Sequence, residues 1–211
     1  MSERRLPTQQ DYERMIDHYI EARGPERDEI EQQIHQTFSI DATVLVLDLS
    51  GFSRLTAEYG VIHYLAMVRR MHLLTHAVIG DHKGKVIKFE ADNLFAHFDS
   101  VDQAIHFAFD MQSGFKGMNV MTDDSSDIYA SIGVASGPVL LIDQKDAWGA
   151  PMNLASKLGE DLAGKGEILV HEDAFQASSA PDAYDTDRKS LSVSGITIQA
   201  RLLKGLKIAR G

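Results

Sequence analysis

The stretch TVLVLDLSGF, residues 43–52, decides how this chain is interpreted, because an apolar run ends there in a single carboxylate. The apolar residues predict a buried strand, and Asp48 lies at its end. Burying a carboxylate without a partner costs free energy, so we expect Asp48 to cap a turn, pair with a base or hold a metal ion. The stretch therefore marks both a core strand and a candidate site.

Composition limits the classes of function that need to be considered. The 211 residues are 44% apolar and 25% charged, which is typical of one globular domain with a short appended segment. A formal charge of -10 and the lack of a Lys/Arg block argue against a nucleic-acid surface. Cysteine is absent, so thiolate metal sites are excluded. No stretch approaches the roughly 18 apolar residues of a membrane span, and we expect a cytoplasmic protein.

The chain is predicted to consist of a helical N-terminal extension, residues 1–40, and a main domain, residues 41–211. The extension is polar, has sparse apolar residues at helical spacing on both sides of Gly24-Pro25, and is expected to pack on the main domain or on a second copy. From Thr43 onwards, strands, hairpins and helices interleave. This order predicts an α+β sandwich with a mainly antiparallel sheet.

The predicted elements of the main domain have definite bounds. They are a strand over TVLVLDL, helices over 61–79, 101–115 and 151–162, a hairpin turning at 91–93, two strands joined by Ser136-Gly137-Pro138, a strand over GEILV and a closing hairpin around Gly195.

Two aspartates are the first candidates for chemistry. Asp48 ends one strand and Asp92 lies at a hairpin turn, so the carboxylates converge if the two strands are neighbours. Oxygen ligands of this kind suit Mg2+ or Mn2+. After Asp48, Gly51 would let backbone amides approach a phosphate. Taken singly, each aspartate also fits a plain role, Asp48 as a helix cap and Asp92 as a turn residue.

Four further polar residues lie close to these motifs. Lys88 precedes Asp92 by four positions, and Asp146 begins the segment DAWGAPMNLASK. Asn153 and Lys157 are four residues apart and therefore share one helical face. Each of the four is equally compatible with an ordinary solvated surface position.

Three ordered motifs together resemble the catalytic domain of the class III nucleotidyl cyclases, the adenylate and guanylate cyclases. DLSGFSRLT matches an Asp-x-x-Gly-Phe motif, and KFEAD matches a Lys-x-x-Gly-Asp hairpin with Ala91 in place of glycine. DAWGAPMNLASK matches an Asp-x-Trp-Gly-x-x-x-Asn-x-x-x-Arg block with Lys157 in place of arginine. The likeness runs from about Thr43 to the end of the sequence and implies a ferredoxin-like βαββαβ-type sandwich.

The resemblance also implies roles for individual residues. Asp48 and Asp92 would bind two Mg2+ or Mn2+ ions about 4 Å apart, which activate the ribose 3′-hydroxyl of ATP and clamp its triphosphate. Lys88 and Asp146 would read adenine and reject guanine. The remaining implied site residues are Gly51 and Phe52 at the substrate, Asn153 at the ribose and Lys157 at the transition state.

The resemblance further implies a head-to-tail homodimer, because the metal aspartates of one subunit face the other residues of its partner. The implied activity is conversion of ATP to 3′,5′-cyclic AMP. The alternatives are a degenerate homologue that binds a nucleotide or a protein without turnover, and, less favoured, a guanylate cyclase. Lys157, Ala91 and Ser194, which stands where the family often has a phosphate-binding lysine, motivate the degenerate alternative. We expect Lys189, Lys204 or Lys207 as substitutes for that lysine.

Overall fold

The computed structural model describes residues 7–122, 126–193 and 195–207, without the side chain of Ser53. Its strands are β1 (Ser39–Leu49), β2 (Lys85–Glu90), β3 (Asn93–Phe98), β4 (Ala130–Ile142), β5 (Asp146–Trp148), β6 (Ile168–His171), β7 (Tyr184–Val193) and β8 (Ile196–Leu206). Its α-helices are α1 (Gln9–Glu21), α2 (Pro25–Phe38), α3 (Phe52–Tyr59), α4 (Val61–Val78), α5 (Val101–Val120), α6 (Ala150–Ser156) and α7 (Glu172–Gln176).

The strands form one sheet in the order β2-β3-β1-β4-β6-β8-β7, and β5 pairs with the C-terminal end of β4. Every pairing is antiparallel except that of β4 with β6. The central strand β1 pairs with β4 over its whole length. This mixed, mainly antiparallel architecture confirms the predicted α+β sandwich.

The two faces of β1 carry different cores, because side chains alternate along a strand. Leu45 and Leu47 face a large core that contains residues of helices α4, α5 and α7. Val44 and Val46 face a smaller core that contains Met152 and other residues of α6. Asp48 has the parity of this second set, so it lies on the α6 face of the sheet, which we call the site face.

A close approach between two glycines positions the end of α6 on the site face. After Ser156 the helix continues as one π-helical segment, Lys157–Leu162. A Cβ on Gly133 of β4 would lie 2.4 Å from the Gly159 nitrogen, and one on Gly159 would lie 2.9 Å from the Val46 oxygen. Only glycine allows this contact, which places the π-helical segment directly over β1 and β4.

Helices α1 and α2 pack together and on one end of β4. Ile34 and Phe38 of α2 form a small buried cluster with Ile142 of β4, and Tyr12 and Met15 of α1 pack against this cluster. The polar sequence of the two helices fits this arrangement, since only one narrow stripe of each is covered. A domain boundary at residue 40 stays a prediction.

Three predicted elements need correction. Residues 130–142 form one strand instead of two joined at Ser136-Gly137-Pro138, because β1 pairs with β4 straight across this segment. On the side away from β1, β4 pairs with β6 before Gly137 and with β5 after Pro138. No neighbouring strand on that side therefore requires Gly137 and Pro138 to have regular strand geometry. The helix predicted over 151–162 becomes π-helical from Lys157, and that predicted over 101–115 extends to Val120.

Candidate active site

The two candidate metal aspartates lie at the same end of neighbouring strands. β1 pairs with β3, and in this ladder Asp48 stands opposite Asn93. The Leu49 amide donates a hydrogen bond of 3.3 Å to the carbonyl of Asp92, which fixes the β2–β3 turn against the end of β1. The end of β1 and the β2–β3 turn are therefore neighbours, which is the arrangement predicted to bring the two carboxylates together.

Among the residues that the structure describes, no cation compensates the charge of Asp48. Burial, together with the neighbouring charges of Asp92 and Glu160, raises the pKa of Asp48 to about 7. Glu160 belongs to the π-helical segment that the glycine contact brings over the sheet. A carboxyl group in these surroundings is held poorly as an anion unless a positive charge joins it.

Two side chains that the sequence analysis did not single out support the aspartates. The buried hydroxyl of Tyr64 on α4 donates a hydrogen bond of 2.7 Å to Oδ2 of Asp92 and lies 3.4 Å from the carbonyl of Leu49. Oδ1 of Asn93, opposite Asp48, is buried and has no hydrogen-bond partner among the described residues. No sequence pattern pointed to either residue. Tyr64, for example, looks like one more apolar position of an amphipathic helix.

These residues fit a divalent cation with oxygen ligands. Asp48 and Asp92 provide carboxylates whose mutual repulsion a cation would relieve, and the unpartnered Oδ1 of Asn93 adds an oxygen at the same strand end. Within residues 7–122, 126–193 and 195–207, no three His, Cys, Asp or Glu side chains are grouped so as to hold a metal alone. The chain thus offers two carboxylates and leaves the remaining positions to a substrate or water, as is common for Mg2+.

Lys88 and Asp146 lie in direct contact. The Lys88 Nζ atom is 3.1 Å from Oδ1 of Asp146 and 2.8 Å from Oε2 of Glu90. The hydrogen bond to Glu90, together with the bond and charge of Asp146, raises the pKa of Lys88 against the effect of desolvation. Both members of the pair are about one third exposed, so a ligand can reach them.

A β-bulge decides which face of the sheet Lys88 occupies. The pairing of β2 with β3 jumps from Val86–Ala96 to Lys88–Phe95, so Ile87 is an extra residue. Ala96 belongs to the large core and Phe95 to the site-face core. Without the bulge, alternation would point Lys88 into the large core. With it, the ammonium group lies 5.3 Å from the centre of the Phe95 ring on the site face.

Asn153 lies in the middle of α6, and Lys157 follows one turn later, directly after the last residue of that helix. Asn153 is exposed and Lys157 is half-buried at the first position of the π-helical segment. Among the described residues, neither side chain makes a hydrogen bond or ion pair with Asp48, Asp92, Lys88 or Asp146. The structure therefore forms two separate groups, the aspartates with Tyr64 and the Lys88–Asp146 pair, and leaves the α6 residues outside both.

The turn after Asp48 has the predicted glycine geometry. Gly51 adopts a left-handed conformation with φ of 99°, which glycine reaches without strain. Phe52 begins α3, and its half-exposed ring packs edge-on against Tyr64 with a centroid distance of 4.9 Å. A helix cap is the plain alternative role for Asp48, but Gly51 is the residue at the start of α3, and no side chain caps that helix among the described residues.

Two departures from the motifs can be located. Ala91 has φ of 52°, so the alanine occupies the left-handed conformation that glycine would adopt more easily, at a strain of about 1 kcal/mol. Ser194 lies outside the described residues. Of the lysines expected to replace the missing one, Lys204 forms an ion pair of 2.8 Å with Asp187.

The chain belongs to the family of adenylate and guanylate cyclase catalytic domains. The model of this family matches residues 34–205. The match includes both aspartates, the Lys88–Asp146 pair and all of α6, and it confirms the resemblance on which the sequence analysis relied. Among curated proteins, none matches this sequence significantly.

Solved structures share the fold. An adenylate/guanylate cyclase/hydrolase from Silicibacter pomeroyi is 25% identical over 78% of this chain and 96% of its own, with a TM-score of 0.64. The guanylyl cyclase Cya2 is 17% identical over 82% and 95%, with a TM-score of 0.69. The catalytic core of a rhodopsin-guanylyl cyclase with converted specificity, in complex with ATPalphaS, is 20% identical over 81% and 97%, with a TM-score of 0.67. At identities under 25%, the likeness shows the fold alone.

None of the helices within the described residues combines the length and the apolar character needed to span a bilayer.

Proposed function

We propose that this protein is an adenylate cyclase, which converts ATP to 3′,5′-cyclic AMP and pyrophosphate. The observation that carries the proposal is the contact of Lys88 with Asp146, at 3.1 Å on the site face. Adenine presents a ring nitrogen that accepts and an exocyclic amine that donates, so an ammonium donor next to a carboxylate acceptor complements it. Guanine presents an oxygen and a ring N–H at these positions and would leave both protein groups unsatisfied.

The reaction forms a bond between the ribose O3′ and the α-phosphorus while the bond from this phosphorus to the β-phosphate oxygen breaks. The 3′-hydroxyl proton is released to solvent water, and pyrophosphate is the leaving group. Asp48 and Asp92 would hold Mg2+ or Mn2+, two ions per site. When bound, such ions lower the pKa of the 3′-hydroxyl and stabilise the charge of the triphosphate.

The protein side chains orient the substrate around this centre. Tyr64 holds one oxygen of Asp92, which leaves the other oxygen of that carboxylate to face a ligand. Lys88 and Asp146 fix the base, and Asn153 orients the ribose. Lys157 supplies positive charge to the transition state, although an ammonium group lacks the planar, multi-donor geometry of arginine.

The placement of α6 supports a head-to-tail homodimer. Within the described residues, Asn153 and Lys157 form no hydrogen bond or ion pair with Asp48 or Asp92 of their own chain, so a second copy would bring them into a complete site. The exposed side chain of Trp148, 58% accessible just before α6, is an apolar residue that a contact between two subunits would cover. Each of the two equivalent sites would combine residues from both subunits.

The alternative is a degenerate cyclase domain that binds a nucleotide or a protein without turnover. The strained Ala91 and the lysine at position 157 favour it. The presence of both aspartates and the Lys88–Asp146 contact weighs against it, since a domain released from catalysis has no need for an uncompensated Asp48. A guanylate cyclase is less consistent with this base-reading pair.

The test is product formation by the purified protein over a series of protein concentrations, with ATP or GTP and with Mg2+ or Mn2+. Cyclic AMP that rises more steeply than the protein concentration supports both the activity and the dimeric site. No product in any of the four combinations, with nucleotide binding still detected by calorimetry, favours the degenerate domain. In that case Lys157→Arg would be the variant to assay next.

A further inference from the structure

Two carboxylates hold Lys88, and the proposed function uses only one of them. The Nζ atom of Lys88 lies 2.8 Å from Oε2 of Glu90 and 3.1 Å from Oδ1 of Asp146. An ammonium group has three N–H donors. With one donor directed to each carboxylate, one donor is left for a ligand. Glu90, the closer of the two partners, is therefore a group at this site that still has no role.

The backbone places Glu90 on the site face. Glu90 lies two residues beyond Lys88 in β2, so the two side chains share one face of the strand. The ladder with β3 pairs Glu90 with Asn93, the same residue that stands opposite Asp48 of β1. The bulge at Ile87 precedes both Lys88 and Glu90 and brings them to this face together.

The geometry of Asp146 shows what a second anchor for Lys88 adds. Oδ1 of Asp146 accepts a hydrogen bond of 3.1 Å from the Ala147 amide in addition to its contact with Lys88. Oδ2 makes no hydrogen bond within the described part of the chain, so it can accept one from a ligand. A single ion pair between partly exposed groups restrains a long, flexible lysine weakly. The contact with Glu90 supplies a second restraint, which fixes the direction of the remaining donor.

Neither the fold nor the sequence motif requires a carboxylate at position 90. The side chain of Glu90 is 64% exposed, so it fills no core. In the Lys-x-x-Gly-Asp motif, Glu90 occupies one of the two variable positions. Burial is the main cause of the raised pKa of Glu160, and the charge of Glu90 contributes to it. Glu90 thus adds repulsion at an acidic site, and its contact with Lys88 offsets this repulsion.

We propose that Glu90 is a positioning residue for base recognition. It holds the ammonium group of Lys88 beside Asp146, so that one donor of Lys88 and one oxygen of Asp146 are presented together to the base. That the base is adenine rests on the proposed function. That Glu90 fixes Lys88 rests only on the contacts of these three side chains.

The first test measures kcat and KM of the Glu90→Ala variant with ATP and with GTP. We expect KM for ATP to rise about threefold, which is the effect of losing one partly exposed ion pair. The value of kcat should stay nearly the same, because the base is remote from the reacting atoms. The preference for ATP over GTP should fall by the same factor. Glu90→Gln keeps an oxygen acceptor and should therefore lie between Glu90→Ala and the unmodified protein.

The second test needs no turnover. Acetic anhydride acetylates the uncharged amine, so the acetylation rate of Lys88 reports how firmly its partners keep it as an ammonium ion. Mass spectrometry gives this rate relative to that of Lys116, an exposed lysine of α5. We expect Glu90→Ala to raise the relative rate about threefold. A general loss of stability would instead raise the acetylation of many lysines together.

The matched control is Asp143→Asn, which neutralises a carboxylate 3.0 Å from the Nζ atom of Lys145, in the turn just before Asp146. This variant removes the same charge close to the same strand. It should change neither the acetylation of Lys88 nor KM for ATP. An unchanged or lower KM for ATP in Glu90→Ala, or unchanged acetylation of Lys88, would overturn the proposal.

The outcomes separate the role of Glu90 from the proposed activity. If the protein makes no cyclic AMP, its affinity for adenosine, measured by calorimetry, takes the place of KM. Weaker adenosine binding by Glu90→Ala would then support the positioning role while the cyclase function fails, and unchanged binding would overturn both. If cyclic AMP is made and Glu90→Ala keeps its KM for ATP and its acetylation of Lys88, the function stands and the role of Glu90 fails.

Discussion

The hydroxyl of Tyr64 donates a hydrogen bond of 2.7 Å to Oδ2 of Asp92 from a position that is almost fully buried. Burial and the neighbouring carboxylate both raise the pKa of Tyr64, so the phenol remains a donor throughout the working pH range. The bond joins helix α4 to the β2–β3 turn. It also restricts the rotation of the Asp92 carboxylate.

We therefore expect Tyr64→Phe to weaken metal binding while the fold is kept. Loss of a residue that orients a metal ligand typically lowers metal affinity by 10-fold or more. The measurement is the rise in melting temperature with Mn2+ concentration, together with the Mn2+ dependence of any cyclase activity. The Mn2+ concentration at half-saturation should rise about tenfold.

Tyr184→Phe is the matched control for this prediction. Tyr184 is equally buried and donates a hydrogen bond of 2.9 Å to Asp102, a carboxylate on α5 that is not part of the site. Its loss should lower stability without changing the Mn2+ dependence. If both variants shift the Mn2+ dependence equally, Tyr64 acts only through general stability.

Asp48→Asn is expected to stabilise the metal-free protein at alkaline pH while abolishing turnover. The folded-state pKa of Asp48 is raised from 3.8 to about 7. Below about pH 4 the carboxyl group is protonated in both the folded and the unfolded state, so the folded state keeps its full stability. This stability is lost as the pH rises through 7. The neutral amide avoids this loss. We expect a gain on the order of 1–4 kcal/mol at pH 8 and a smaller one at pH 5.

Denaturant unfolding in EDTA at the two pH values measures this difference. Asp173→Asn, which changes a highly exposed aspartate, should show no such pH dependence. Added Mg2+ should stabilise the unmodified protein at pH 8 more than the Asp48→Asn variant. A variant that is no more stable than the unmodified protein at pH 8 would contradict an uncompensated charge at Asp48.

Asp146→Asn should reduce the preference for ATP over GTP. The change replaces an acceptor for the exocyclic amine of adenine by an amide that can donate to the oxygen of guanine, and it removes the ion pair with Lys88. We expect the ratio of kcat/KM values to fall at least about tenfold. Asp143→Asn, in the same loop and paired with Lys145, should leave the ratio unchanged. An unaltered ratio in Asp146→Asn would remove this residue from base recognition.

Mixing two inactive variants tests whether sites are shared between subunits. Asp92→Ala would lack a proposed metal ligand and Asn153→Ala the proposed ribose contact, so each homodimer should be inactive. A mixed dimer would contain one site with both residues intact, and random mixing should restore about a quarter of the full activity. The assay must be accompanied by proof that mixed dimers form. Demonstrated mixed dimers without activity would argue for sites contained within one chain.

Part of this site was predictable because it depends on local sequence. Asp48 follows its own apolar strand and Asp92 lies at its own hairpin turn, so their strand-end positions could be predicted from residue order.

The division of residues 130–142 into two strands was wrong for the opposite reason. Gly137-Pro138 has the composition of a turn, but pairing with the long strand β1 keeps the segment extended. Tertiary pairing overrode a local preference there.

The amino-acid sequence by itself determined the α+β class, the central strand and the residue types that chemistry on a nucleotide needs, because hydrophobic periodicity and motif spacing are properties of the chain alone. Only the tertiary structure decided which side chains meet. The bulge at Ile87 turns Lys88 towards Asp146, α4 brings Tyr64 to Asp92, and the Gly133–Gly159 contact brings Glu160 over Asp48. Each contact joins residues that are distant in sequence, so its existence depends on packing geometry that no local pattern encodes.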